Sequence, residues 1–211
     1  MELKRVVVTG LGAVTPLGLN VDETWEALLN GVSGAGPITH FDASQFKTQF
    51  ACEVKNFDPT LYLDKKEVRK FDRYAQFAVA AAKEAVGDSA LDLEKVDKNR
   101  VGVIFAAGIG GIRTFEEEVG GYFTNIERGP KFNPFFIPKM IADIAAGHIS
   151  MIYGFHGPNY ATVSACASST HSLIDAFNNI RLGKADVIVT GGAEAAISVA
   201  GIGGFNAMHA I

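Results

Sequence analysis

Two short segments of this chain are apolar almost without interruption, Arg100–Ala107 (RVGVIFAA) and Ala185–Thr190 (ADVIVT). A strand with one wet face alternates apolar and polar residues, so runs like these read as strands covered on both faces. Each closes on glycines, Gly108-Ile109-Gly110-Gly111 and Gly191-Gly192. Helical spacing fills the sequence between them, and strands alternating with helices imply an α/β layered fold around a buried sheet. Two more strands are expected, at Leu3–Thr9 (LKRVVVT), bounded by Gly10, and at Tyr160–Ala165 (YATVSA).

The helices follow from residue spacing. Asn20 is a capping residue with Glu23 as its reciprocal partner, and Val21, Trp25, Leu28 and Leu29 fall on one face before Gly31. Val68, Phe71, Ala75, Ala78, Ala82 and Ala85 step at three and four residues, with alanines small enough for close packing. Gly34–Asp64 lacks a period and reads as loops and short elements. Phe132–Pro138 (FNPFFIP) reads as an apolar loop, with Pro138 opening a helix through Met140, Ile141, Ile144, Ala145 and Ile149 that closes on Gly154. Ala167–Leu182 reads as a helix with Leu173, Ile174, Phe177 and Ile180 inward. No linker interrupts the chain, so residues 1–211 are taken as one domain.

Charge and composition exclude several functions. Nineteen Lys and Arg against 23 Asp and Glu give a net charge of −4, with no basic run, which argues against nucleic acid as the partner. No apolar run approaches the ~20 residues of a membrane span. The N-terminus leads into a strand-like run without a signal segment, so a cytoplasmic protein is expected. Two cysteines, Cys52 and Cys166, are too few for a disulfide scaffold and read as free thiols of a reducing compartment.

Thr9-Gly10-Leu11-Gly12 after a strand suggests a dinucleotide-binding turn. The third small residue of that fingerprint falls on Thr15, and Pro16 follows, so the match is incomplete. Cys166 is the stronger candidate. It stands where a strand ends and a helix begins, where free N–H groups and the helix dipole stabilise negative charge on sulfur. A sharp turn there also pushes the side chain out toward a substrate. The spacing alone leaves open the alternative of a small buried core cysteine. Cys52 has no such setting. His40, His148, His156, His171 and His209 show no metal-ligand spacing. His171 lies five residues past Cys166 and points away from the thiol, and His148 reads as a satisfied core histidine.

Together these segments resemble the N-terminal part of a β-ketoacyl-acyl carrier protein synthase of the elongating type. The motifs in order are RVVVTGLGAVTPLG (5–18), AAGIGG (106–111), PFFIP (134–138), AGHIS (146–150), YGFHGPNYATVSACASS (153–169), GKADVIVTGGAE (183–194) and GIGGFNAMHAI (201–211). The resemblance runs the whole length. It implies a thiolase-like fold, in which a mixed five-stranded sheet with helices forms one of two duplicated halves layered α-β-α-β-α.

The resemblance also implies a reaction. Cys166 takes an acyl chain as a thioester, malonyl-acyl carrier protein loses CO₂, and the carbanion attacks, giving a 3-oxoacyl chain two carbons longer. The backbone N–H of Cys166 forms one arm of an oxyanion hole. Ile109 lines the acyl pocket, and Phe135 and Phe136 shape its tunnel, partly across a homodimer. No bound cofactor is implied, because the substrates ride on the phosphopantetheine of acyl carrier protein. The family's chains are about twice as long, and the resemblance places two catalytic histidines and a lysine in the half beyond Ile211. This half alone is therefore expected not to complete the reaction. The alternatives are a polyketide-type ketosynthase and a non-catalytic fragment or partner subunit. The chain-length-factor subunit of polyketide systems usually replaces the cysteine, so Cys166 counts against that reading.

Overall fold

The computed structural model describes residues 3–211. Helix α1 (Val21–Leu29) opens on Asn20, whose side chain accepts the Glu23 N–H at 2.8 Å, while Glu23 accepts the Leu19 N–H. The stretch read as loops and short elements holds a two-residue antiparallel pair, β1 (Gly36–Pro37) and β2 (Phe50–Ala51), and a 3₁₀ turn at Pro59–Leu61. The alanine-rich run expected from Val68 divides into α2 (Lys65–Val68) and α3 (Arg73–Asp88). Asp72 makes the division. Its carboxylate caps α3 at the Tyr74 N–H and also accepts the Thr114 N–H and hydroxyl, at 3.1 and 2.5 Å.

Strand β3 (Val101–Ala106) follows, buried at every residue as its unbroken apolar run requires. Then come α4 (Ile112–Thr124), α5 (Phe136–Met140) and α6 (Ile144–Tyr153). The segment expected as an apolar loop thus contains a short helix. Asn133 starts it by accepting the Phe135 N–H on its side chain and the Phe136 N–H on its carbonyl. Pro138 sits in the first turn of α5, where its missing N–H costs nothing, rather than opening α6. Gly154, at φ +68°, ends α6 in the left-handed conformation. The chain finishes with β4 (Asn159–Tyr160), α7 (Ser168–Arg181), β5 (Val187–Gly192) and α8 (Val199–Ala207).

Among the described residues the main sheet has three strands, ordered β4-β3-β5 and all parallel, where five mixed strands were expected. The run at Leu3–Thr9 is not a strand. Among the described residues it has no ladder partner, and its polar ties include the Lys4 N–H to the Arg181 carbonyl and the Lys4–Asp186 ion pair. β-branched composition favours a strand only where a neighbour offers packing and hydrogen bonds. The strand expected at Tyr160–Ala165 also shortens, pairing only through Val103–Asn159 and Ile104–Tyr160. Past Tyr160 the backbone turns away, and the Ser164 N–H bonds the Ser168 hydroxyl instead of a ladder carbonyl.

The glycines at 10 and 12 serve helix packing. A Cβ on Gly10 would lie 2.1 Å from the Ala85 carbonyl oxygen, and one on Gly12 2.0 Å from that of Ala81, both on α3. The neighbouring N–H groups of Leu11 and Ala13 donate to the carboxylates of Asp88 and Glu84. Two carboxylates bound to this turn repel a pyrophosphate and occupy two of its donors, which counts further against the dinucleotide reading.

Helices α3 and α6 pack on each other and against the sheet, forming the core with Tyr74, Ala78, Val79, Val103, Phe105 and Ile149. Helix α7 packs against β3 and β5 without joining α3 or α6, and so covers the other face. Its orientation reverses the expected one. Leu173, Ile174 and Phe177 are 51, 49 and 41 % exposed, and the buried side is Ser168, Ser172 and Ala176. Small residues are needed because the helix approaches glycines at the end of β5: the Ser172 hydroxyl lies 2.7 Å from the Gly191 carbonyl oxygen. Among the described residues no helix is long and apolar enough to cross a membrane.

Candidate functional site

Between β4 and α7 the chain makes a turn that carries Cys166. Ala165 lies at φ +51°, a left-handed conformation that side-chain-bearing residues rarely adopt. Ala165–Ala167 form one tight 3₁₀ turn that runs directly into α7. The thiol of Cys166 is free and exposed on this turn. Among the described residues no side chain caps α7, and its first N–H, that of Ser168, donates to the Ala165 carbonyl. The Cys166 N–H has no acceptor among the described residues. The arrangement presents a nucleophile together with a donor for a negative charge developing next to it.

Serines hold the turn. Ser168, 3 % exposed, accepts the Ser164 N–H at 2.8 Å and donates to the Ala165 carbonyl at 2.7 Å. Thr162 donates to the Ser168 carbonyl at 2.8 Å. The Ser164 hydroxyl lies 2.6 Å from His171 Nδ1. His171 is thus tied into the turn through Ser164.

Ile109 lies on the neighbouring glycine turn. A Cβ on Gly108 would stand 3.5 Å from the Ala165 carbonyl oxygen, which places this turn against the one bearing Cys166. Glu194, just past β5, accepts the Ile109 N–H at 2.7 Å. Burial raises the Glu194 carboxyl above the ordinary carboxylate range, against bonds from Ile109 and neighbouring N–H groups that lower it. The Gly111 N–H donates to the Met140 carbonyl, joining the turn to the end of α5.

Phe135 and Phe136 lie at the other end of α5. Phe136 stacks on Phe132 with centroids 5.6 Å apart and tilts against Phe115 at 6.2 Å, while Lys70 sits over the Phe135 ring. The structure therefore brings Ile109 to the Cys166 turn directly, and the two phenylalanines only through α5. Cys52 is exposed in a separate small hollow with His40, Arg73 and Arg113. His148 differs from its expected role: it stacks on Phe71, and its Nε2 is buried without a partner. No group of three metal-ligating side chains occurs among the described residues.

Residue spacing missed Ser164, Ser168 and Glu194. A serine in the first turn of a helix is an available signal for Ser168, but its bonds run backward across the turn. Glu194 follows two glycines at a strand end, and nothing local in the sequence says which N–H groups it meets.

Comparison with known proteins points one way. Residues 3–211 match the family model described as the N-terminal domain of beta-ketoacyl synthase. The chain is 46 % identical over 211 residues to 3-oxoacyl-acyl-carrier-protein synthase 2 of Coxiella burnetii, covering all of this chain and 50 % of that protein. A crystal structure of a beta-ketoacyl synthase from Burkholderia phymatum superposes with a TM-score of 0.84 at 26 % identity, over 100 % of this chain and 51 % of that one. The ishigamide ketosynthase/chain length factor gives 0.83 at 28 %, over 98 and 51 %. The chain spans about half the length of the curated relatives it matches.

Proposed function

This chain belongs to the beta-ketoacyl synthase family, and from that premise we propose that it is the cysteine-bearing half of a 3-oxoacyl-acyl-carrier-protein synthase. The Cys166 sulfur attacks an acyl thioester, the acyl–sulfur bond to the carrier breaks, and the carrier thiol leaves with the proton. Malonyl-acyl carrier protein then loses CO₂, and the electron pair left on carbon attacks the Cys166 thioester. Cys166 departs as thiolate and is reprotonated, leaving a 3-oxoacyl carrier two carbons longer. The observation that carries this reading is the exposed thiol of Cys166 on a left-handed turn at the uncapped start of α7. A thiol suits both roles, since it is a good nucleophile and a good leaving group.

In this proposal the Cys166 N–H helps hold the oxyanion of each tetrahedral intermediate. Ile109 borders the acyl chain beside the thiol, and Phe135 and Phe136 shape its far end within a homodimer. Decarboxylation uses groups outside this chain. The partner is acyl carrier protein, whose phosphopantetheine delivers both substrates, and no other cofactor takes part. The similarity to a ketosynthase/chain length factor keeps a second reading in view, in which the acyl chain grown is a polyketide.

The test is mass spectrometry of the chain after incubation with acyl-acyl carrier protein, alone and with malonyl-acyl carrier protein. The expected result is an acyl adduct on Cys166, absent in Cys166→Ala, with no 3-oxoacyl product until the remainder of the protein is supplied. Acylation of Cys166→Ala, or condensation by this chain alone, would sink the proposal. Preference for poly-3-oxoacyl over saturated acyl carriers selects the polyketide reading.

A further inference from the structure

The reactive turn contains a backbone conformation that needs holding, and one side chain holds it. Ala165 carries a Cβ at φ +51°, where a side-chain-bearing residue is strained. The Ser164 N–H, one residue before, donates to the Ser168 hydroxyl at 2.8 Å, and that hydroxyl donates to the Ala165 carbonyl at 2.7 Å. An ordinary helix cap reaches forward from before the first turn. Ser168 is the first residue of α7 and reaches backward, so its hydroxyl closes a ring around Ala165, with Cys166 on the outside. The residue is 3 % exposed, and its own carbonyl is fixed by Thr162. His171, one turn along α7, anchors the Ser164 hydroxyl at 2.6 Å.

We infer that Ser168 is a positioning residue: its hydroxyl clasps Ala165 in the left-handed conformation and so aims Cys166 outward at the N-terminal end of α7. His171 supports the clasp from the Ser164 side. This rests on the reading of Cys166 as the nucleophile. Without the clasp Ala165 relaxes toward ordinary backbone angles, and the thiol loses its fixed place at the start of the helix.

The chain carries its own control, because Cys52 is a second exposed thiol in a separate hollow. The measurement is the ratio of iodoacetamide alkylation rates, Cys166 to Cys52, by peptide mass spectrometry at neutral pH. In the wild-type chain the ratio is expected well above one, and Ser168→Ala lowers it about tenfold. Ser168→Thr, which keeps the hydroxyl, restores most of it. Glycine adopts positive φ without strain, so in an Ala165→Gly background Ser168→Ala has a much smaller effect. That double variant also covers the case in which Ser168→Ala alone folds poorly. A wild-type ratio of one overturns the nucleophile reading itself. A high wild-type ratio left unmoved by Ser168→Ala, whatever happens to thermal stability, overturns the clasp. So does an equal loss in the Ala165→Gly background.

Discussion

The two faces of the main sheet are covered by helices that behave in opposite ways. On one face α3 and α6 interlock, and α3 buries Tyr74, Ala75, Ala78, Val79, Ala82 and Val86. On the other, α7 presses only Ser168, Ser172 and Ala176 inward and leaves Leu173, Ile174 and Phe177 open. The first face is finished, with its stability held in close packing. The second carries the candidate chemistry, together with an apolar surface of the kind that is covered in a complete fold. Strand β5 repeats the contrast at its edge, since it is only partly buried while β3 beside it is wholly buried. The candidate turn sits on the more open side, where its thiol remains accessible.

Three measurements test that contrast. The largest effect is expected from matched truncations. Ile149→Ala, on the closed face, should lower stability by about 2–5 kcal/mol, the cost of a cavity that a packed core cannot close. Leu173→Ala, on the open face, should cost this chain roughly 0.5 kcal/mol or less, as surface changes do. Repeated in the full-length protein, Leu173→Ala should rise toward the cost of a core truncation. Urea unfolding midpoints decide it, and equal costs for Leu173→Ala in the two settings would remove the idea that α7 awaits a cover.

A smaller effect belongs to His148 on the closed face. Burial holds its imidazole down at about 4, against an ordinary value of 6.5. Between those pH values the unfolded chain binds a proton that the folded chain refuses, so stability rises with pH through that window and falls as pH drops across it. Because the ring is only partly enclosed, the expected loss between pH 7 and 4 is about 1–2 kcal/mol. His148→Phe keeps the stack on Phe71 and removes the proton site. Its stability should lose this pH dependence, and an unchanged slope between pH 4 and 6.5 would count against the assignment.

The smallest effect lies at the open edge. Asp186 pairs with Arg100 and Lys4, and these bonds hold its carboxyl well below the usual range. That contribution is present above the ordinary carboxylate pKa and is lost as pH falls through the lowered one. Asp186→Asn should therefore be slightly less stable than the parent at neutral pH, with the difference vanishing in strong acid. Exposed pairs contribute little, so the readout is a small shift in thermal midpoint that salt reduces. A gap that widens toward low pH would contradict the pairing.

Much of the architecture was legible in the residues. β3 and β5 stand where the unbroken apolar runs put them, α1 lies between Asn20 and Gly31, α6 ends on Gly154, and α7 falls within the expected 167–182. Cys166 was found by its place between a strand and a helix. The misses share a cause. Leu3–Thr9 has strand composition but no partner, and composition does not supply one. The inward face of α7 was misread because close approach to Gly191 and Gly192 demands serine and alanine, whereas an apolar stripe assumes a roomy core. The backward bonds of Ser168 depend on the φ of Ala165, which alanine does not advertise.

By itself, the sequence determined the class of fold, the family and the place of the candidate cysteine, because periodicity, capping and motif order are local and survive in one dimension. The tertiary structure decided how that residue is held. Whether Ser168 meets Ser164 and Ala165, whether Glu194 meets Ile109, and which side of α7 faces β5 are set by how separate segments approach one another, and only the packed chain specifies those distances.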